Sequence, residues 1–430
     1  MTKVAFHTLG CKLNFAETSS IARQFTNNGY ERVDFNEAAD VYVINTCSVT
    51  KKADKKSEQF IKKARKQNPA AQIVVMGCYA QLQTDKIASI QGVDLVLGTN
   101  EKFNILAHLE NHTPSNQPEV HSCNIEDATS YNPSFSYGDR TRSFLKIQDG
   151  CDYHCSYCTI PMARGNSRNQ SIQSIIKEAE EIGQTEVKEI ILTGVNIGDF
   201  GKSTGERFFD LLRALDQVPG IERIRISSIE PNLLTNEIIA FVKQAKKILP
   251  HFHIPLQSGC NAVLDQMRGR YNRELFAERV STIRELIPEA FIGVDVIVGF
   301  PGEDEGKFQD TYTFLQHLDA SYYHVFSYSQ RPNTPAAAMS DQIPKTLITQ
   351  RSKLVQNLAE EKQQAFYRKN LGQTRPVLIE SYQKQNSLFG FTDNYIKTEI
   401  PHNPQYIDKI KQIKLTGINN NGNATGRIID

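Results

Sequence analysis

Residues 150–161 read GCDYHCSYCTIP. Cys151, Cys155 and Cys158 stand in a Cys-x3-Cys-x2-Cys pattern. An iron–sulfur cube takes four ligands, one per iron, and a structural zinc site also takes four. Only three thiols are present. Either His154, inside the loop, completes a zinc knuckle, or one iron of a cube is left open. A zinc ribbon needs a second pair downstream, and Cys260 stands alone there.

Working outward, the loop follows a candidate strand, FLKIQDG (144–150). Five more follow: EIILTGVN (189–196), RIRISSIE (223–230), HFHIPLQ (251–257), IGVDVIVGF (292–300) and YYHVFSYS (322–329). Helical patterns at 171–183, 207–217, 234–248, 273–287 and 304–318 separate them. Six strand–helix units predict a partial βα barrel with its chemistry at the carboxyl ends of the strands. The cysteine loop sits at the first of those ends.

The first third of the chain repeats another pattern. VAFHTLGC, DVYVINTC and QIVVMGC are strands that end in Cys11, Cys47 and Cys78, with helices near 16–28 and 50–66 and a further strand at 93–98. Strand–helix alternation predicts a parallel sheet, and ligands bind at the carboxyl edge of such a sheet. Three cysteines distant in sequence therefore meet at one edge. Buried cysteines are also common core residues, but these three recur at one place on successive strands.

Residues 111–140 are polar and read as a linker. A helix over about 345–370 leads out of the barrel. Beyond it, RPVLIESY, LFGFTDNYIKTEI and the Gly/Asn-rich tail predict a small all-β barrel of OB type. The expected division is 1–110 for an α/β cluster domain, 111–140 for the linker, 141–370 for the barrel with its exit helix, and 371–430 for the small barrel.

The bulk numbers bound the reading. The chain has 430 residues, 39% hydrophobic and 23% charged, with net charge +1. That predicts a globular protein with no global field for nucleic acid, so any basic surface is local. No apolar run approaches the roughly 18 residues of a membrane span, and the N-terminus has no signal-peptide pattern. A cytoplasmic location is the expectation. In a reducing cytosol eight cysteines point to metal ligands or catalytic groups rather than disulfides. Cys123 and Cys260 have no partners in the pattern and read as bystanders.

One local basic stretch exists. Residues 51–66, KKADKKSEQFIKKARK, carry eight basic and two acidic residues, and Val49, Ala53, Phe60 and Ala64 make a helical apolar stripe. The like-charge pairs Lys51/Lys55, Lys52/Lys56 and Lys62/Lys66 each cost roughly 0.2–0.5 kcal/mol. A phosphate backbone would offset that.

The spacing in 151–158 together with six βα units resembles the radical S-adenosylmethionine (SAM) superfamily. The resemblance implies that three thiolates hold three irons and SAM chelates the fourth. It further implies SAM contacts at Tyr157, at Gly194 and Asn196 in TGVN, at Gln257 and Ser258, and at Asp295 in GVDVIVG. With the second trio and the C-terminal barrel, the whole chain resembles one family, the radical-SAM methylthiotransferases. TLGCKLN, INTCSVTKKADKKSEQFIKKA, GCYAQ and KIQDGCDYHCSYCTIPMARG are most similar to the branch acting on N6-threonylcarbamoyladenosine in tRNA. Phe15 and Ala16, and GNSRNQS after the cysteine loop, depart from the family wording.

The resemblance implies two 4Fe–4S clusters, on Cys151/155/158 and on Cys11/47/78, with two SAM molecules per turnover. One donates a methyl group to sulfur on the second cluster, and the other supplies the radical that attacks adenine carbon 2. It implies a TRAM domain for the last segment, a tRNA partner, a reductant protein such as a flavodoxin or ferredoxin, and a monomer. Lys51, Lys52, Lys55, Lys56 and Arg164 are the candidate RNA contacts. The rivals are an aspartate methylthiotransferase acting on a ribosomal protein, a non-catalytic iron–sulfur RNA-binding protein, and a zinc protein.

Overall fold

Glycine or threonine followed by cysteine ends each of the three strands that organise the N-terminal region. The computed structural model describes residues 1–113, 117–138, 140–384 and 386–429. Its first sheet has six parallel strands in the order β2-β1-β3-β4-β5-β6: β1 Lys3–Thr8, β2 Glu31–Val33, β3 Val41–Thr46, β4 Gln72–Gly77, β5 Leu95–Leu97 and β6 Glu119–His121. β3 is buried along its whole length and β4 almost so, as befits strands covered on both faces. Ile61, Ala64 and Val75 pack on one side, and Ile21, Phe25 and Val43 on the other.

Helix α1 (Lys12–Asn27) begins directly after Cys11, four residues before the pattern predicts, because Cys11 is itself the N-cap. Helix α2 (Lys51–Gln67) is capped by the Thr50 hydroxyl, which accepts from the Ala53 amide. Val49 therefore lies outside the helix and is exposed, and the buried stripe is Ser57, Ile61 and Ala64, of which the pattern placed only Ala64.

The segment expected as a linker is not wholly irregular. Residues 119–121 form β6, which pairs with β5. A three-residue polar edge strand has backbone pairing but almost no hydrophobic signature. Residues 114–116 and 139 of that segment lie outside the described residues.

Six parallel strands follow, in two three-stranded sheets: β7 Arg142–Lys146, β8 Glu189–Thr193 and β9 Arg223–Ile226, then β10 His251–Gln257, β11 Phe291–Val298 and β12 Tyr322–Ser327. Only isolated bridges, such as Ser228 to His253, join β9 to β10. This is the expected partial barrel, curved around one large apolar core. The helix Lys345–Asn370 packs along β12 and leads to a closed five-stranded barrel: β13 Thr374–Lys384, β14 Ser387–Thr392, β15 Lys397–Pro401, β16 Ile410–Ile418 and β17 Ala424–Ile428. Tyr395 of the small barrel inserts against His251 and Arg225 of the large one, at 4.5 and 4.7 Å between centres.

Candidate active site

The loop after β7 is shaped by its sulfur ligands' neighbours. The Tyr153 amide donates to Cys151 Sγ at 3.3 Å and the Ile160 amide to Cys158 Sγ at 3.4 Å. Gly150 turns the chain at φ +71°, and a Cβ there would meet the Asn166 carbonyl oxygen at 1.9 Å. Burial pushes the Cys151, Cys155 and Cys158 thiols up to about 12. The free thiols are thus neutral at pH 7, and a metal must displace their protons.

The second trio forms as the strand reading predicts. β1, β3 and β4 are neighbours, so Cys11, Cys47 and Cys78 stand together at the carboxyl edge of the sheet. Cys47 and Cys78 are buried and Cys11 is exposed. Gly10 leaves room for the Cys47 side chain, because a Cβ at 10 would come within 3.0 Å of Cys47 Sγ. Burial, then the neighbouring Cys78, pushes the Cys47 thiol up to about 12.

Among the described residues, the set of three His, Cys, Asp or Glu ligand atoms lying mutually within 4.8 Å is His253, Asp295 and His324. Neither cysteine trio is that tight. Sulfurs around a single zinc stand about 3.8 Å apart, given tetrahedral geometry and Zn–S near 2.3 Å. The wider spread of each trio suits a multinuclear cluster. The amide donors to sulfur suit it as well.

Between the trios lies the open lumen of the partial barrel. A cavity of about 220 Å³ brings together Tyr157, Cys158, Gln257 and Asp295 with Val49 and Thr50 of the N-terminal region. Gln257 holds φ +66° at a bulge in the β10–β11 pairing, a conformation that non-glycine residues keep at functional sites. Asp295 Oδ1 lies 2.6 Å from His253 Nε2. The TGVN loop is fixed by Gln148, whose Oε1 accepts from the Val195 and Asn196 amides. Asn196 Nδ2 donates to Asp199, which leaves Asn196 Oδ1 a buried acceptor with no partner. An ammonium group would satisfy it. Gly194 packs directly on Gln148 and Ile197, where a Cβ would sit 2.9 Å from each.

Two expectations are corrected. Ser258 is fully buried, its hydroxyl 3.0 Å from Thr311 Oγ1 and accepting from the Cys260 amide, so its side chain is not free for the expected SAM contact. Arg164 is not an RNA contact. It is 2% exposed and bonds Glu17, Asp149 and Asn14 at 2.6–3.1 Å. A short helix from Ile160 to Arg164 carries it back under the cysteine loop.

Arg164 belongs to a buried ionic cluster that sequence reasoning missed. Glu17 pairs with Lys102, Lys146 and Arg164 at 2.8, 3.1 and 3.1 Å. Asp149 pairs with Lys146, Arg164 and Arg168. Burial opposes ionisation of Glu17, but Arg164, Lys102 and Lys146 outweigh it and hold the carboxyl well below its usual range. The cluster fastens the sheet edge of the second trio to the loop of the first. Its signal in the sequence was Asn14 and Glu17 one turn apart, beside Cys11.

Two further groups were missed. Glu230, at the carboxyl end of the third barrel strand, is pushed up to about 8 by burial and then by Asp295 and Asp199. Lys12 is half-buried beside Cys11, and burial, then Arg142 and Arg225, lower its ammonium to about 8 while Cys11 and then Asp295 act the other way. By contrast, Lys51, Lys52, Lys55 and Lys56 are exposed along α2. Its first turn docks on the barrel through Arg331, which pairs with Asp54 at 2.8 Å.

Comparison with known proteins agrees with this layout. A model described as uncharacterized protein family UPF0004 matches residues 3–98, the radical SAM superfamily matches 145–315, and the TRAM domain matches 368–429. The chain is 42% identical to the threonylcarbamoyladenosine tRNA methylthiotransferase MtaB of Bacillus subtilis, over 96% of this chain and 94% of that one. It is 40% identical to the protein of that name in Aquifex aeolicus, over 92% and 95%. Against the tRNA-2-methylthio-N(6)-dimethylallyladenosine synthase of Rickettsia conorii the identity is 30%, over 99% of each. The radical SAM methyltransferase TsrM of Kitasatospora setae shares the fold, with TM-score 0.59 over 78% of this chain and 75% of that one, at 14% identity.

Proposed function

Since the chain belongs to the radical-SAM tRNA methylthiotransferase family, we propose that it converts N6-threonylcarbamoyladenosine next to the anticodon into its 2-methylthio derivative, using two 4Fe–4S clusters and two SAM molecules. The observation that carries the two-cluster reading is the pair of cysteine trios at facing strand ends, joined by the Glu17–Arg164–Asp149 cluster. When bound, the clusters and SAM supply a low-potential electron, a 5′-deoxyadenosyl radical, a sulfur atom and its methyl group.

The chain's own residues do the positioning. Cys151, Cys155 and Cys158 would hold the cluster that meets SAM, with the Tyr153 and Ile160 amides donating to sulfur. Asn196 Oδ1, buried and without a partner, would accept from the SAM ammonium, and Tyr157, Gln257 and Asp295 line a cavity that would take the rest of the molecule. Cys11, Cys47 and Cys78 would hold the second cluster. Lys51, Lys52, Lys55 and Lys56 and the TRAM barrel hold the RNA backbone.

The higher identity to threonylcarbamoyladenosine enzymes than to a dimethylallyladenosine synthase favours the first substrate. Among the described residues no helix is long and apolar enough to cross a membrane. We place the enzyme in the cytoplasm as a monomer fed by a flavodoxin- or ferredoxin-type reductant. The test is nucleoside mass spectrometry after anaerobic reaction of the reconstituted chain with SAM, reductant and tRNA bearing each N6 group. Methylthio product from the threonylcarbamoyl substrate alone is expected. Product from neither, with 5′-deoxyadenosine still formed, would remove the tRNA substrate.

A further inference from the structure

A second cavity, of about 320 Å³, opens beside Cys11 where all three regions of the chain meet. Lys12 comes from α1, Arg140 and Arg142 from the entry to β7, Phe144 and Ile191 from the barrel, and Tyr395 from the small barrel. Three cations line it and no carboxylate does. The buried cations elsewhere in this part of the molecule have acids: Lys102, Lys146 and Arg164 share Glu17, and Arg225 takes Glu189 at 2.9 Å.

Two of the cavity cations, Lys12 and Arg140, are different. Arg142 bonds Glu380 at 2.6 Å through one nitrogen, and its other terminal nitrogen, buried and without a hydrogen bond, lies 3.9 Å from Glu189. Arg140 lies over the Phe15 ring at 4.5 Å. Among the described residues neither Arg140 nor Lys12 has an ion pair or a hydrogen bond. Lys12 is also the first residue of a 16-residue helix, the end at which the helix dipole favours an anion. A half-buried ammonium without a partner is a costly arrangement unless an anion enters.

The anion's source follows from the walls. The lining sets the apolar side chains of Phe15, Phe144 and Ile191 beside the cations, which suits a small side chain ending in a carboxylate better than a hydrated phosphodiester. Cys11, a proposed ligand of the second cluster, lines the same cavity, so Lys12 stands beside the place where carbon 2 would receive its sulfur. An adenine whose carbon 2 is presented there carries its N6 substituent on the same edge of the ring.

We propose that Lys12, backed by Arg140 and Arg142, binds the carboxylate of the N6-threonylcarbamoyl group and thereby selects carboxylated over apolar N6 substituents. This rests on the tRNA reading above and names the residues that read the group.

The experiment uses the full chain with clusters reconstituted and two anticodon stem–loops, one carrying threonylcarbamoyladenosine and one its carboxamide counterpart. The wild type is expected to bind the carboxylate form about tenfold more tightly or better. Lys12→Gln is expected to bring the two affinities within about twofold, and Lys12→Arg to keep most of the difference. Arg140→Gln, on an exposed side chain, lowers the same ratio by a smaller factor, and it carries the test should Lys12→Gln lose iron. The proposal is overturned if the wild type does not distinguish the two stem–loops. It is also overturned if Lys12→Gln weakens both equally, which marks a backbone-phosphate contact, or leaves the ratio unchanged. Methylthio formation by the wild type is measured in parallel. Its absence sinks the tRNA reading independently of the binding ratio.

Discussion

The two cysteine trios hold the same number of thiols but are built in opposite ways. Cys151, Cys155 and Cys158 lie on one loop, whose geometry is set by local amides and by Gly150. Cys11, Cys47 and Cys78 come from three strand ends and meet only when the sheet has formed. A local trio can be read from spacing. A dispersed trio is visible only through the repetition of strand, glycine or threonine, cysteine. The local trio faces the cavity with Tyr157 and Asp295, and the dispersed one adjoins the cationic cavity with Lys12. The division of labour proposed above follows that placement.

The largest effects should separate the trios. Cys151→Ala is expected to abolish 5′-deoxyadenosine formation, and with it all product. Cys47→Ala is expected to leave 5′-deoxyadenosine formation and remove the methylthio nucleoside. Chromatography of both products from one reaction checks this, and loss of both in Cys47→Ala would erase the distinction.

Next in size is the link between them. Glu17→Ala leaves Lys102 without an acid and Lys146 and Arg164 with Asp149 alone, at a cost of about 3–5 kcal/mol. Thermal unfolding should show a lower midpoint and a weaker hold between sheet and barrel. Glu17 is held ionised, so its stabilising contribution is present above the unfolded value near 4.3 and is lost only as pH falls through the depressed folded value.

A smaller effect concerns RNA. Replacing Lys51, Lys52, Lys55 and Lys56 together by Gln should weaken tRNA binding and flatten its salt dependence, by up to roughly 0.7–0.9 in slope for each phosphate no longer neutralised. Cluster content should not change. An unaltered slope would make α2 a merely solvated face.

The smallest effect is confined to the barrel. Glu178 is buried with both carboxyl oxygens unpartnered, and burial pushes its carboxyl up to about 8. Its folded value lies above the unfolded one, so its contribution to stability is fullest below about 4.3 and is lost as pH rises through 8. Glu178→Gln should flatten that decline by roughly 1–3 kcal/mol, read as the change in midpoint between pH 5 and 8.

Much of this was legible in the sequence, and the reasons for the remainder are physical. The six barrel strands, the exit helix and the small barrel carry periodic apolar patterns, and each emerged where that pattern placed it. β2 and β6 did not, because three-residue edge strands are specified by backbone pairing rather than by side chains. Arg164 was misread because its partner Glu17 lies 147 residues away. An arginine after a cysteine loop has the same local sequence whether it faces RNA or a buried acid. Ser258 was misread for a similar reason, since its hydroxyl partner comes from a helix between two later strands. Lys12 looked ordinary because its cavity has no local signature. Its walls come from α1, β7, β8 and the small barrel.

Iron and sulfide per chain after anaerobic reconstitution decide between one cluster and two. The wild type is compared with two triple variants, one lacking each trio. About eight irons are expected in the wild type and about four in each variant, four for each 4Fe–4S cluster. About four irons in the wild type, unchanged when Cys11, Cys47 and Cys78 are all replaced by Ala, would contradict the two-cluster reading.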